Sequence, residues 1–428
     1  MSDGWSRSHP ARGNVAEIDD EDQPVDGSRA QPTRVGRRRR ERAATARRRR
    51  ARFVVVIGLV VALIVAGGVA LVANKMLGGP EAAPDYDAGS AGPDVVIRVA
   101  PGETASEVSE LMAEKGVVAS SAAFYEAAVQ DSGMDSLQPG YYAIPTKIPA
   151  EQAVEILVGP DSRVGQTVLS EGRQLHDSRD VSTSAIKEGI YTKIAKASCH
   201  GETDQPQCVT YDELNAAGAS EDLNALCVPA WAVAGVRAVP DRDRQLEGLI
   251  ASGAWDFDPT GTPTQILCQL VTESAQRYEQ TGLLDPAKES GLSPYQLLVA
   301  ASLVERESLP ADFTKVARVI LNRLAVGQPL QFDSTVNYAL DETEVATTDD
   351  DRARPTPWNT YAMAGLPATP IAAPSIDALK AVEEPEPGPW LFFVTVDKQG
   401  TTLFTNNYDE HLRNIDKARE SGILDSGR

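Results

Sequence analysis

Histidine and cysteine are scarce, with four of each in 428 residues. The cysteines are Cys199, Cys208, Cys227 and Cys268, and none stands in Cys-Xaa-Xaa-Cys spacing. A zinc centre is therefore not expected, and neither is any other metal or cofactor. Aromatic residues make up only 6% of the chain, although 42% hydrophobic composition is enough for a proper core. Basic charge is missing from most of the sequence. Residues 1–52 carry fourteen Arg against eight acids, a net of +6, which leaves −26 on the remainder of a chain whose net charge is −20. An acidic body excludes a nucleic-acid surface, which needs clustered Lys and Arg. Long uncharged apolar runs are rare too, and the exception is FVVVIGLVVALIVAGGVALVA, residues 53–73.

That run holds twenty-one residues without a charge. As a helix it spans roughly 31 Å at about 1.5 Å per residue, the thickness of a bilayer hydrocarbon core. It is longer than a signal-peptide apolar region and follows a fifty-residue polar tail, so an uncleaved anchor is expected. Ten arginines precede it within residues 37–52 and only Lys75 closely follows. The positive-inside rule then places the N-terminus in the cytoplasm and the rest outside the membrane, a single-pass protein of the plasma membrane. An oxidising compartment permits disulfides. Four cysteines allow three pairings, of which Cys199–Cys208 with Cys227–Cys268 is preferred.

Composition divides the chain further. Residues 1–52 read as a disordered basic tail, 53–73 as a transmembrane helix and 74–94 as a Gly/Pro/Ala linker. Residues 95–165 suggest a compact unit: a strand at VVIRV, a helix over 104–115, a short helix over 124–129, a return strand at GYYAI and a closing segment at 152–157. Its pattern resembles a LysM-like β-α-α-β module, a fold associated with glycan binding. Residues 166–261 form a connecting region, with VLSEGRQLHD read as a strand running into a helix and residues 199–227 as a cysteine-bearing insertion. A mixed α+β domain is expected over 262–420, so the whole is of the α+β class. Its helices are predicted over 264–280, from the Ser293 cap onward, and over 314–326 with Gly327 as the stop.

The second of these helices contains LLVAASLVERES, residues 297–308, in which an apolar stretch runs into Glu305 and Glu307. On a helical wheel, advancing about 100° per residue, Ser302 and Arg306 mark the polar side and Val304 the core side. Glu307 falls between Leu303 and Ala300, and Glu305 lies nearer the boundary. Glu307 is the carboxylate expected among apolar groups, where desolvation would raise its pKa toward that of a general acid.

Downstream of this helix end come Asn322-Arg323-Leu324, Leu330-Gln331 with Asp333-Ser334-Thr335-Val336 and Tyr338, Asn359-Thr360-Tyr361, Gly365-Leu366-Pro367 and Glu410-His411. With the Glu-Xaa-Glu element these resemble the YceG-like endolytic murein transglycosylases, specifically over residues 297–414 and more loosely back to residue 95. The resemblance implies cleavage of the MurNAc-GlcNAc bond of nascent peptidoglycan glycan strands with a 1,6-anhydro end, and Glu307 as the catalytic acid. It implies glycan strands as the partner, and membrane-bound peptidoglycan synthases follow from the anchored placement. Gln331, Asp333 and Thr335 alternate in a segment read as extended, which would line them along a glycan groove. Asn359 and Tyr361 are expected to contact sugar or position Glu307. Glu305, Ser308, Asn322 and His411 are supporting candidates: Asn322 and Arg323 would tie the helix pair together, and His411 would cap or pair with an acid. The chain departs from the family at LEGLIASGAWDF, residues 246–257, where only Glu247 and Gly248 match well, and at TTLFTNN, which lacks a histidine. The competing reading is a non-catalytic, membrane-tethered peptidoglycan-binding scaffold. Another is a muramidase using Glu307 and Asp333 as a carboxylate pair.

Overall fold

The computed structural model describes residues 83–423 apart from 182, 202–205, 286–289 and 344–346. The basic tail and the 53–73 run lie outside the described residues. Among the described residues, no helix is long and apolar enough to cross a membrane.

The first unit is built as its pattern suggests. Strand β1 (Asp94–Val99) leads to helices α1 (Ala105–Glu114) and α2 (Ser121–Ala128), then to β2 (Gly140–Pro145). Thr104 and Glu107 form a capping box at α1, and the Ser120 hydroxyl caps α2. β1 and β2 pair antiparallel from Asp94↔Pro145 to Val99↔Gly140. Helix α3 (Ala150–Val158) closes the unit, and the short β3 (Arg163–Val164) adds an edge to β2. Ile97, Val108, Met112, Phe124, Ile144 and Leu157 form its core and are at most 1% exposed. Burying each such side chain contributes about 1.5–3 kcal/mol, which offsets the ordering of a small unit.

The chain then continues through β4 (Gln166–Leu169), β5 (Ser178–Asp180), β6 (Ile186–Lys187), α4 (Ile190–Ala197), α5 (Tyr211–Gly218), α6 (Ala230–Ala238) and β7 (Gly253–Asp256). Next come the long α7 (Pro263–Glu279), α8 (Pro294–Glu307) and α9 (Phe313–Ala325). The last part holds α10 (Asp333–Leu340), β8 (Glu342–Thr343), α11 (Asp349–Ala353), α12 (Ile376–Glu383), the hairpin β9 (Phe392–Thr395) and β10 (Thr402–Thr405), and α13 (Tyr408–Glu420). β4 pairs with β7, and β5 pairs antiparallel with β6 and parallel with β8. Gly165, between β3 and β4, has φ +67°, and a Cβ there would stand 2.0 Å from the Phe257 carbonyl oxygen. Only glycine permits that crossing. Arg163 reinforces it with an ion pair to Asp256 at 2.7 Å.

One expectation for this part is corrected. β4 does not run into a helix: residues 170–177 are irregular and held from outside. Gly172 N–H donates to the Ala373 carbonyl and Ala373 N–H to that of Arg173. Gly172, with φ +68°, breaks any helical run there. The divergent segment LEGLIASGAWDF, for its part, is core. Leu246, Leu249, Ile250, Trp255 and Phe257 are at most 2% exposed, and the Arg277 guanidinium covers the Trp255 ring at 3.7 Å. The cysteines pair as preferred, Cys199 with Cys208 and Cys227 with Cys268. The second bridge fastens the segment before α6 to α7 across 41 residues.

Candidate active site

Helix α8 begins with a capping box, the Ser293 hydroxyl on Gln296 N–H and the Gln296 side chain on Ser293 N–H, with Pro294 in the first turn. Every residue from Leu297 to Val304 is buried, so the helix runs through the largest core cluster rather than along its surface. The polar side expected at Ser302 and Arg306 is therefore internal. Ser302 is fully buried, donates to the Val299 carbonyl and accepts Ile371 N–H at 3.0 Å. Arg306 reaches the Gly172 carbonyl at 3.4 Å. The wheel marked these residues as polar because it cannot tell a solvated serine from one that satisfies a neighbouring loop.

The helix leaves the core at its last turn, and there its two glutamates part company. Glu305 accepts the backbone N–H of Ser375 at 3.0 Å, the residue whose hydroxyl caps α12. Glu307 accepts a hydrogen bond from the Ser334 hydroxyl. Ser308 ends the helix in extended conformation and returns its hydroxyl to the Val304 carbonyl.

Ser334 comes from a segment expected to be extended. From Asp333 onward QFDSTVNY is instead helix α10, and the alternation of Gln331, Asp333 and Thr335 on one face does not occur. Ser334, Thr335 and Asn337 are buried along with Val336 and Tyr338, so polarity there does not report which side faces water. Gln331 sits at φ +54° just before the helix, and its N–H donates to the Thr360 carbonyl. Its side chain is exposed. Thr335 is fully buried and shares a hydrogen bond with the Thr360 hydroxyl at 3.0 Å, so it faces no groove. Asp333 is committed in several directions. One oxygen accepts from the Thr347 hydroxyl (2.7 Å), the Tyr361 hydroxyl (2.8 Å) and Arg352 Nε (3.2 Å), and the other meets Arg352 Nη2 at 3.1 Å.

Asn359 is 1% exposed, which rules out a sugar contact. Its amide donates to the carbonyls of Asp351, Arg352 and Arg354, and its oxygen accepts Tyr361 N–H at 2.9 Å. It fixes the turn that presents Tyr361. Burial, followed by the charge of Asp333, pushes the Tyr361 hydroxyl pKa up, so that group is a proton donor in hydrogen bonds and not an anion. Asn322 and Arg323 do not join the helix pair. Asn322 donates to the Gly388 and Trp390 carbonyls, and Arg323 to those of Leu330 and Leu391, tying α9 to the strand entering β9. Burial lowers the Arg323 pKa to about 10. His411 pairs with no acid in the described residues; it stacks on Phe392 at 5.1 Å, and desolvation, with Arg323 second, lowers its pKa.

The residues that reasoning from sequence missed as site components are Ser334, Arg352 and Glu247. Glu247 is fully buried, accepts Leu175 N–H at 3.2 Å and takes the Tyr338 hydroxyl at 3.1 Å. Burial raises its carboxyl to about 7 against those hydrogen bonds. It thereby links the 170–177 segment to α10, the helix that delivers Ser334. The Glu-Gly pair at 247–248 was the available signal for it.

The family model for the YceG-like family matches residues 97–417. The chain belongs to the YceG-like family. A Bacillus subtilis relative named endolytic murein transglycosylase is 26% identical over 77% of this YceG-like chain and 85% of its own length. A Streptococcus pneumoniae relative of the same name is 24% identical over 75% of this chain and 58% of its own, so the chain spans a little over half of that protein. A solved yceG-like structure from Listeria monocytogenes matches 75% of this chain and 98% of its own at 22% identity, with a TM-score of 0.47.

Proposed function

We propose that this chain is a membrane-anchored endolytic lytic transglycosylase that cuts the MurNAc-GlcNAc bond of nascent peptidoglycan strands. The names of its relatives support peptidoglycan as substrate. The observation that carries the catalytic assignment is the divergence of the two glutamates: Glu305 is spent on the cap of α12, and Glu307 emerges at the helix end against the Ser334 hydroxyl. In this reading Glu307, as the acid, gives its proton to the glycosidic oxygen as the bond to MurNAc C1 breaks. The carboxylate left behind takes the proton of the MurNAc C6 hydroxyl while that oxygen attacks C1. The 1,6-anhydro ring forms, no water is consumed, and Glu307 is protonated again.

One carboxyl suffices for both transfers. Two-carboxylate hydrolysis needs a second free carboxylate at about 5–9.5 Å, and Asp333 is already held by Arg352, Tyr361 and Thr347. Gln331, with its exposed side chain, and Tyr361 remain the substrate contacts, while Asn359 and Thr335 position the turn that carries Tyr361. The 53–73 run is the anchor that keeps the cut close to the membrane, beside membrane-bound synthases, and the 95–165 unit is a LysM-like grip on glycan. Digestion of purified sacculi followed by mass analysis tests the reaction. Products ending in 1,6-anhydro-MurNAc, lighter by one water than reducing-end products, support it; reducing ends point to the hydrolase and no cleavage to the scaffold.

A further inference from the structure

Beside the helix end lies a recess of about 10 Å³, lined by Arg173, Gln174, His176, Lys187, Glu188 and Arg306 among others. A space of that size admits a single water-sized group. Three of its walls are cationic. Arg173 comes from the irregular 170–177 segment, Lys187 from β6 and Arg306 from the last turn of α8, so three separate pieces of chain converge their charges on one point.

These charges are not locked into ion pairs, although Arg306 feels the carboxylates of Glu307, Glu305 and Glu247 from its own side. Among the described residues, no carboxylate forms an ion pair with Arg173, Lys187 or Arg306. Glu188, the carboxylate on the lining, is turned to Lys196. Nearby Asp177 is occupied by Gly189 N–H and the Thr192 hydroxyl, both at 2.7 Å. Arg173 spends its donors on the Ser170 hydroxyl and the Glu188 carbonyl, which aims it without cancelling its charge. Arg306 Nε is buried and finds no hydrogen-bond partner. Desolvation, and after it the charges of Arg306 and Arg173, lower the Lys187 pKa to about 8, although the residue remains exposed at the rim of the recess.

We infer that this recess is an anion subsite that takes a carboxylate of the peptide stem on the strand being cut. The inference rests on the proposed function. Once the lactyl group of MurNAc is amide-linked to its peptide, the glycan itself is neutral, so an anionic group near the cut belongs to the stem. Arg306 is the residue before Glu307 in the last turn of α8, so the recess lies at the same helix end as the proposed acid but on a different face. A guanidinium fork matches a carboxylate in geometry, and the single-group size of the recess suits one carboxylate oxygen rather than an engulfed phosphate. Occupancy would select strands that still carry peptides over stripped ones.

The test is a binding measurement on full-length protein bearing Glu307→Gln, so that strands stay intact. Uncrosslinked strands with peptides are compared with the same strands stripped by an amidase, and with peptide-bearing strands whose free carboxyls have been amidated. Peptide-bearing strands should bind about three- to tenfold more tightly than either of the others, with a preference that shrinks as salt rises. Adding Lys187→Glu should collapse that ratio to near one, and Lys187→Arg should keep it. Equal binding of all three strands overturns the subsite. A preference that survives amidation but depends on a lipid pyrophosphate at the strand end also overturns it. The binding readout does not need cleavage, so it fails or succeeds separately from the catalytic reading.

Discussion

Glu305 and Glu307 leave the same helical turn two residues apart, and two residues apart on a helix do not face each other. One accepts a backbone N–H from the start of α12 and the other accepts a hydroxyl from α10. Their substitutions should therefore fail differently. Glu307→Gln keeps the side chain's shape and removes its transferable proton, so cleavage should fall by about 10²–10⁴-fold with the thermal midpoint nearly unchanged. Glu305→Gln should cost about 1 kcal/mol of stability through the weakened contact to Ser375, with a smaller loss of cleavage. Turnover and thermal melts of the two variants, run side by side, check the contrast. Ser334→Ala should lower turnover by about tenfold, the scale of one charge-assisted hydrogen bond; unaltered turnover would show that the hydroxyl only packs there.

Glu247 gives a prediction in pH. Its pKa rises from an ordinary carboxyl value to about 7 in the folded protein. Between about pH 4.5 and 7 the folded state therefore binds more protons than the unfolded one, so stability falls as pH rises through that window. The full effect is on the order of 3 kcal/mol. Arg244 pulls its pKa down in part, Tyr338, Tyr191, Tyr278, Tyr295 and Arg306 feel its charge, and none of the tyrosines ionises in that range. Glu247→Gln should flatten this part of the denaturation profile.

At the scale of elements, legibility followed the local signal. α8 could be read from Ser293, Pro294 and Gln296, and α9 from its apolar spacing and Gly327, because caps and stripes act within a few residues. α10 could not be read so easily. Phe332 is extended, Thr and Val favour strands, and the polar residues of the helix are buried against the 356–361 turn, so the alternation that suggested a strand was tertiary in origin. The same cause hid the true partners of Asn322 and Asn359, whose acceptors are carbonyls far off in the chain or at the C-terminal end of the short helix α11. The position of Glu307 at the end of an apolar helix was legible from that helix; Asp333 was visible as a residue but its ties to Arg352, Tyr361 and Thr347 were not. Of the two disulfides, Cys227–Cys268 closes the longer loop. Cys227→Ser with Cys268→Ser should cost about 3–4 kcal/mol, and the pair at 199 and 208 less, as read by denaturant midpoints.

At the scale of the whole molecule, a buried helix brings its last turn toward the surface, where the loop 170–177 meets Arg306, α10 meets Glu307, and the 356–361 turn packs on α10. Glu247 holds the loop and α10 together from beneath. The anchor and the cytoplasmic tail belong to the proposal and predict a consequence in cells. A form lacking residues 1–75, exported at native levels, should cut purified sacculi yet fail to restore the strand-length distribution of a strain without the protein. Full restoration would show that tethering is incidental. The central claim is a single-carboxyl transglycosylase centred on Glu307, and its most direct measurement is product mass from sacculi treated with the full-length protein and with Glu307→Gln. Internal cuts ending in 1,6-anhydro-MurNAc are expected from the first and none from the second. Equal release by both, or reducing ends from the first, would contradict that claim.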